Sequence, residues 1–461
     1  MNIAMLIFPF LISISLRLAW RIGNWLWFRP RKMEKFLRAQ GFSGNPYRLI
    51  YGDSKEMAAM IEQANSKPIK LSDDIIPRAL PFHHHIINKY GTLLSWFAYV
   101  KLKRKKSFSW IGPTPRVYIM EPELIKEVLI NNTLFKKPTP NPLAKLLVCG
   151  LSGYEDEKWA KHRKIINPAF YIEKLKHMIP AMHTSCVEMI NKWEMLASEK
   201  ITIEIDVQPY LEDLTSDVIS RTAFGSSYAR GKMIFLLQKE QAELTRQVLQ
   251  SVYIPGWRIL PTKRNRRMKE INNQLCSLLK NIINKKLKAM KSGIDSADND
   301  LLGILLKSNL KEIKEQGNNN LGISIDEVIE ECKTFYFAGQ ESTSNLLAWT
   351  MLLLSMHPSW QVCAREEILQ VFGNNVPDLD GLNRLKTVTM ILYEVLRLYP
   401  PAIIFTRTIN EETKLGEMTL PPGLQIFVAN NLSSSRSTTM GGRCKRIQAR
   451  EIFSRNCKGD E

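Results

Sequence analysis

Two side-chain pairs and one short interruption carry the chemistry that can be read from this sequence. Trp159 and Arg163 stand four apart in Lys-Trp-Ala-Lys-His-Arg-Lys, so an indole N–H and a guanidinium project from one helix face toward a common acceptor. Glu394 and Arg397 stand three apart in an otherwise apolar stretch (Met390, Ile391, Leu392, Leu396, Leu398), where they share a face and can pair. Between these pairs lies Ala338-Gly339-Gln340-Glu341-Ser342-Thr343. A glycine inside a helix costs about 1 kcal/mol, and adjacent hydroxyls compete for backbone carbonyls. The segment therefore predicts a local distortion of a long helix, of a kind that often marks function. Each signal alone is common.

The helix holding that interruption is predicted to begin at Ser324, where Ser-Ile-Asp-Glu places a capping hydroxyl three residues before Glu327, and to run to His357 ahead of Pro358. A second helix is expected from near Pro358 to Phe372, stopped by Gly373, and a third from about Leu382 to Tyr399, cut by Pro400-Pro401. From about Met33 onward the pattern is mostly helical, with Ser107 to Met120 reading as strand. At the start, Ile3 to Leu16 is uncharged and mostly apolar. It leads into Arg17, Trp20, Arg21, Trp25, Trp27, Arg29, Arg31 and Lys32. The clean run falls short of the roughly 20 residues a spanning helix wants, but Arg17 can snorkel and the tryptophans suit an interface, so residues 1–28 are read as a membrane anchor. A cleaved signal peptide fits less well, since no small-residue cleavage site follows and the basic cluster holds that side in the cytosol.

Composition narrows the function classes. A chain of 461 residues, 44% of them hydrophobic, can fill a large interior and is not globally disordered. Seven cysteines, at 149, 186, 276, 332, 363, 444 and 457, are odd in number and lack Cys-x-x-Cys spacing. That excludes a disulfide framework and a zinc ribbon and favours a reducing compartment. Lys+Arg 64 against Asp+Glu 45 gives +19, which favours anionic surfaces such as an acidic protein, lipid head groups or nucleic acid. The basic end of Thr92 to Lys106 reads as a solvated loop before it reads as a nucleic-acid patch, and no nucleic-acid partner is expected. His83-His84-His85 project in different directions from helix or strand, which disfavours one metal site. No Walker loop, dinucleotide glycine fingerprint or His-Glu-x-x-His occurs.

Taken in order, the Trp159/Arg163 pair, the Ala-Gly-x-Glu-Ser-Thr interruption and the Glu394/Arg397 pair resemble the cytochrome P450 monooxygenases. Longer phrases, Ser109-Trp110-Ile111-Gly112-Pro113, Lys158 through Phe170 and Tyr393 through Pro401, resemble the plant group that contains secologanin synthase, over nearly everything from Trp20 to Phe427. The resemblance implies a mainly α fold with small β-sheets, a domain over residues 29–428 and a haem cofactor. It implies that Trp159 and Arg163, joined by Arg407, hold the haem propionates. Glu341 and Ser342, with Thr343 beside them, would take the acid and alcohol positions that deliver protons, and Glu394 with Arg397 would form a structural salt bridge. The implied activity is oxidation of an apolar, terpenoid-like molecule with dioxygen. Its implied partners are NADPH-cytochrome P450 reductase and membrane lipid, at the endoplasmic reticulum with the catalytic domain on the cytosolic side. Thiolate-haem chemistry demands a cysteine sulfur on one side and proton supply within an apolar pocket on the other.

The family's haem loop has the form Phe-x-x-Gly-x-Arg-x-Cys-x-Gly, and these 461 residues do not contain it. Cys444 has Gly442 two before and Arg446 two after, while Cys457 has Arg455 and Gly459 but no phenylalanine or glycine upstream. No metal ligand is therefore assigned, and the fold is expected to be C-terminally incomplete. Residues 429–461 are read as out-of-frame translation. Codons compatible with the chain from Ala429, shifted one nucleotide, spell a family segment with its Pro-Glu-Arg-Phe motif, and Met440-Gly441 forces a tryptophan. Codons that cannot spell that segment would end this reading. Thr92 to Lys105 is read as retained intron or as a natural loop insertion. The alternative function is accordingly an inactive, truncated fragment that folds poorly without its cofactor.

Overall fold

Strands and most helices segregate into different parts of the chain. The computed structural model describes residues 3–71, 73–91, 106–198, 202–225, 228–251, 256–292, 300–316 and 322–429. Thr92 to Lys105, and the tail with Cys444 and Cys457, lie outside the described residues. The described chain divides into two units.

The first unit comprises Met1–Pro138, Val248–Ile254 and Ile403–Glu461. Its helices are α1 (Ile3–Gly23), α2 (Arg29–Ala39), α3 (Ser54–Asn65), α4 (Ile76–Ala79), α5 (Pro81–Gly91) and α6 (Pro122–Ile130). Its strands are β1 (Ser43–Gly44), β2 (Ser107–Ile111), β3 (Thr114–Tyr118), β4 (Phe135–Lys136), β5 (Ile404–Ile409), β6 (Thr413–Leu415), β7 (Met418–Leu420) and β8 (Gln425–Ala429). Six of them form one sheet in the order β1-β2-β3-β8-β5-β4, and β6 pairs with β7. The expected single strand from Ser107 to Met120 is a hairpin, because Gly112 takes φ +56° and lets Pro113 turn the chain. Trp110 is fully buried there. Its indole N–H donates to the Asn45 carbonyl at 3.1 Å, and its backbone N–H donates to Asp53 Oδ2 at 2.8 Å. Burial raises the Asp53 pKa, while donation from Asn45 and from the Trp110 amide opposes that rise.

At the start of this unit α1 passes into α2 through a π-helical turn, Asn24–Phe28, with helical backbone at both joints. Sequence reading missed this turn. Phe10, Ile12, Ile14, Leu16, Leu18 and Trp20 are exposed along α1. Among the described residues no helix is long and apolar enough to cross a membrane. The expected anchor falls on α1, an apolar helix that carries the charges of Arg17 and Arg21. The three histidines sit on α5 and diverge, as expected. His83 is buried, with Nδ1 2.8 Å from the Tyr118 hydroxyl, while His85 is exposed. Burial, aided by Arg116, lowers the His83 pKa to about 3, and no metal-binding cluster occurs among the described residues.

The second unit comprises Thr139–Gln247 and Pro255–Ala402 and is helical. It contains α7 (Gly150–Gly153), α8 (Asp156–Ile166), α9 (Ile172–Lys176), α10 (Ile179–Ser198), α11 (Val207–Phe224), α12 (Tyr228–Gln250), α13 (Lys263–Lys291) and α14 (Leu301–Gln316). The long α15 (Ile325–Met356) is followed by α16 (Pro358–Phe372), α17 (Leu379–Leu382) and α18 (Lys386–Leu398). The core is built on helical periodicity. Ile271, Leu275, Leu279 and Ile283 recur every four residues along α13 and are all fully buried. They join Leu302, Leu305 and Leu306 of α14 and Val328, Ile329, Cys332 and Tyr336 of α15. Tyr336 stacks on Phe224 of α11 with ring centroids 3.9 Å apart.

Candidate active site

The start of α15 is fixed by its own sequence. The Ser324 hydroxyl accepts the Glu327 N–H, and the Glu327 carboxylate accepts the Ser324 N–H, so both halves of the expected capping box form. From there the helix runs 32 residues without a break. The distortion expected at Ala338 to Thr343 is absent, for a packing reason. A Cβ on Gly339 would fall 2.7 Å from Ile219 Cδ1, so the glycine admits the side chain of α11 instead of bending α15. The competing hydroxyls are present but do not break the ladder. Ser342 Oγ donates to the Ala338 carbonyl at 2.7 Å, and Thr215 of α11 donates to the Gln340 carbonyl at 3.3 Å.

Glu341, Ser342 and Thr343 follow one another at the middle of α15, Glu341 half-buried and the two hydroxyl residues exposed. Among the described residues Glu341 has no ion pair. Burial raises its pKa, the charge of Glu212 adds to the rise, and Lys239 opposes it. The arrangement is an acid biased toward holding its proton, one residue from a hydroxyl whose own proton is engaged and whose lone pairs are open. It can pass a proton to an acceptor facing this stretch of helix.

Trp159 and Arg163 occur together on α8, Trp159 half-buried and Arg163 exposed. Neither forms a side-chain hydrogen bond or ion pair among the described residues. The helix begins with Asp156 and Glu157 and ends with Arg163 and Lys164, the charge order its dipole favours. Sequence reading missed what holds it. His162, with no exposed surface, places Nδ1 2.7 Å from Glu331 Oε1 of α15, itself fully buried. These partners lie 169 positions apart, and neither belongs to a motif. Glu341 stands ten residues beyond Glu331, about 15 Å along the axis.

Arg407 lies on β5 in the first unit, half-buried, with Nη1 3.5 Å from the Thr406 carbonyl. Glu394 and Arg397 pair as expected, through two hydrogen bonds of 2.8 and 2.6 Å. Their helix starts at Lys386, later than expected, because Asp378 caps the short α17 and the Glu367 carboxylate accepts the N–H groups of Thr387 and Val388. The pair is not fully buried, with side-chain exposures of 39% for Arg397 and 25% for Glu394. Just beyond, Tyr399 stacks on Trp349 of α15 at 3.9 Å and seats the end of α18.

The donor chemistry can be compared with a haem. The indole N–H and guanidinium of α8 suit the two carboxylates at its edge. The iron needs a thiolate, and four of the described cysteines do not suit that role. Burial raises the pKa of Cys149, Cys186, Cys276 and Cys332, which favours the neutral thiol, and Cys332 is packed in the core. The described residues of α8 fit the anionic edge of the group, and none is assigned to its metal.

The cytochrome P450 family model matches residues 76–435. The chain is 59% identical over 417 residues to cytochrome P450 CYP72A219 of Panax ginseng, covering 90% of this chain and 78% of that protein. It is 50% identical over 421 residues to secologanin synthase 1 of Catharanthus roseus, covering 91% and 78%. It is likewise 50% identical over 432 residues to 7-deoxyloganic acid hydroxylase of the same plant, covering 93% and 80%.

Proposed function

From the premise that this chain belongs to the cytochrome P450 family of haem-dependent monooxygenases, we propose that it inserts one oxygen atom into an apolar, terpenoid-like small molecule. The second oxygen atom leaves as water, with two protons and with two electrons drawn from NADPH through a reductase. The observation that carries the reading is the half-buried Glu341, its pKa raised by burial, beside Ser342 and Thr343 at the middle of α15. The substrate class is supported by relatives whose names refer to secologanin and 7-deoxyloganic acid.

Haem, when bound, supplies the iron at which dioxygen is split. Trp159 and Arg163 are the residues we assign to its carboxylates. Glu341 holds the proton to be delivered and Ser342 Oγ relays it. Serine keeps the relay hydroxyl without the β-methyl that would restrict its rotamer. Lipid is the partner we assign to α1. Its exposed Phe10, Ile14 and Trp20 suit an apolar interior, and Arg17 and Arg21 suit anionic head groups, at the endoplasmic reticulum with the rest of the chain cytosolic.

A second reading is favoured by Cys444 and Cys457, both of which depart from the haem-loop pattern. In it the polypeptide holds no thiolate-ligated iron and is inactive. One experiment separates the two. The chain is expressed with reductase in microsomes, reduced and treated with carbon monoxide. A thiolate-haem absorbance band, with iridoid or triterpenoid substrates gaining one oxygen by mass, supports the first reading. A haem-free preparation with no product supports the second.

A further inference from the structure

Two helices of the second unit are joined by charges spaced in the same way. Lys158 and His162 stand four apart on α8, and Glu327 and Glu331 stand four apart on α15. Lys158 Nζ lies 2.7 Å from Glu327 Oε1, and His162 Nδ1 lies 2.7 Å from Glu331 Oε1. This makes a ladder of two rungs, one helical turn apart. The outer rung is partly exposed and the inner rung is wholly buried.

Every neighbouring element adds to the grip. Glu331 Oε2 accepts the Leu151 N–H of α7 at 3.0 Å. Gly150 makes that approach achievable, because its Cβ would lie 2.8 Å from the same oxygen and 2.6 Å from Thr334 Oγ1. His162 Nε2, buried and without a hydrogen bond, faces Glu327 Oε1 at 3.8 Å, so the imidazole sits between the rungs. The Tyr154 ring lies against it at 4.6 Å between centroids, and Lys158 Nζ lies over that ring, 4.1 Å from its centre. Glu327 is also half of the capping box, so the ladder is tied to the start of α15.

Trp159 and Arg163 each follow a rung residue by one position and share its spacing. A helix turns and rises as a rigid body, so the register of the ladder also sets where the indole and the guanidinium stand. Apolar packing alone tolerates sliding, whereas a short buried hydrogen bond is directional and costly to leave unmade.

We propose that His162 and Glu331 are positioning residues, and that the ladder between α8 and α15 sets the place at which Trp159 and Arg163 meet the carboxylates of a haem. The inference rests on the reading of those two residues as carboxylate donors, so its test keeps the two apart.

The full-length chain is compared with H162L, H162Q, K158M and R163A by hydrogen–deuterium exchange of residues 156–166, which needs no cofactor, and by titration with hemin. Loss of the buried hydrogen bond in H162L should speed exchange in α8 about tenfold while α13 is unchanged, and weaken hemin binding by a similar factor. H162Q keeps a donor toward Glu331 and should stay within about threefold of the parent in both measurements. Exchange in H162L at the parental rate overturns the proposal, and so does H162Q failing as badly as H162L, because packing rather than the hydrogen bond would then hold the helix. Should H162L not fold, K158M acts on the partly exposed rung alone, where about a twofold faster exchange in α8 supports the ladder and no change overturns it. R163A should weaken hemin binding with α8 exchange unaltered. Unchanged hemin affinity in R163A would remove the donor reading, leaving exchange to decide whether the ladder holds α8.

Discussion

The first turns of α15 and its middle are built on opposite rules. Around Glu331 both carboxylate oxygens are taken, by His162 and by the Leu151 amide, and neither side chain of the pair has exposed surface. Ten residues on, Glu341 has no ion pair among the described residues, and Ser342 and Thr343 are exposed. One stretch is saturated and the other is kept spare. A carboxylate engaged on both oxygens holds two helices together. A spare one contributes little to holding the fold, and burial has raised its pKa toward the range in which it can give a proton away.

The comparison breaks most visibly at Glu331. E331L strands the His162 ring nitrogen and the Leu151 amide in the interior, and should cost about 3 to 5 kcal/mol in urea unfolding. A cost under about 1 kcal/mol would mean that the saturated stretch carries no more than an ordinary hydrogen bond. E341Q should do the reverse. In haem-loaded enzyme its turnover should fall by about a hundredfold, while the fold is held as well as before. The pH dependence of stability gives a second check. A carboxyl whose folded pKa is raised is destabilising above that pKa, and the penalty is relieved as pH falls through it. E341Q should therefore be slightly more stable than the parent at neutral pH, with the gain vanishing in acid. A stability loss at pH 7 would show that Glu341 holds the fold.

G339A tests whether close packing rather than bending explains the glycine. The added methyl meets Ile219 Cδ1 at 2.7 Å and Cγ1 at 2.9 Å. Crowding of that kind costs about 1 to 3 kcal/mol, against a helix-propensity gain of about 1 kcal/mol. A net loss in thermal unfolding is expected, and I219V should recover part of it. A stabilised G339A would refute the packing account.

Glu327 sharpens the saturated side. Burial pushes its carboxyl up, but donation from Lys158 and the Ser324 amide, with the charges of Lys158 and His162, outweighs burial and holds the pKa at about 2. Because the folded pKa lies below the ordinary value of 4.5, its contribution is fully present above that value and is lost as pH falls toward about 2. E327Q keeps the cap, since glutamine serves in a capping box, and should flatten the acid limb of the stability curve between those two values. An acid limb identical to that of the parent would remove Glu327 from the ladder.

Local rules made part of this legible in advance. The Ser324 capping box, the Gly373 stop and the placing of Trp159 and Arg163 on one helix each depend on residues within a few positions of one another, and each formed as chemistry requires. What escaped depends on distant neighbours. Gly339 reads as a helix weakness until Ile219, 120 positions earlier, is seen to occupy the space. The start of α18 depends on Glu367 of α16, and His162 looked like filler between the indole and the guanidinium until Glu331 was found against it.

The smallest predicted effect concerns a pair that looked like scaffold in the sequence. Glu394 and Arg397 are joined by two short hydrogen bonds, yet both keep solvent contact, and they lie one turn apart on a single helix rather than between helices. A pair of that kind trades water for a partner of similar strength and fixes two long side chains in doing so. E394Q should therefore cost about 1 kcal/mol or less in urea unfolding, and moderate salt should shrink the difference further. A loss near that of E331L would mean that the pair is desolvated by something packed over α18, and the saturated class would then gain a second member. A small, salt-sensitive loss leaves the inner rung at Glu331 as the polar contact on which α15 depends.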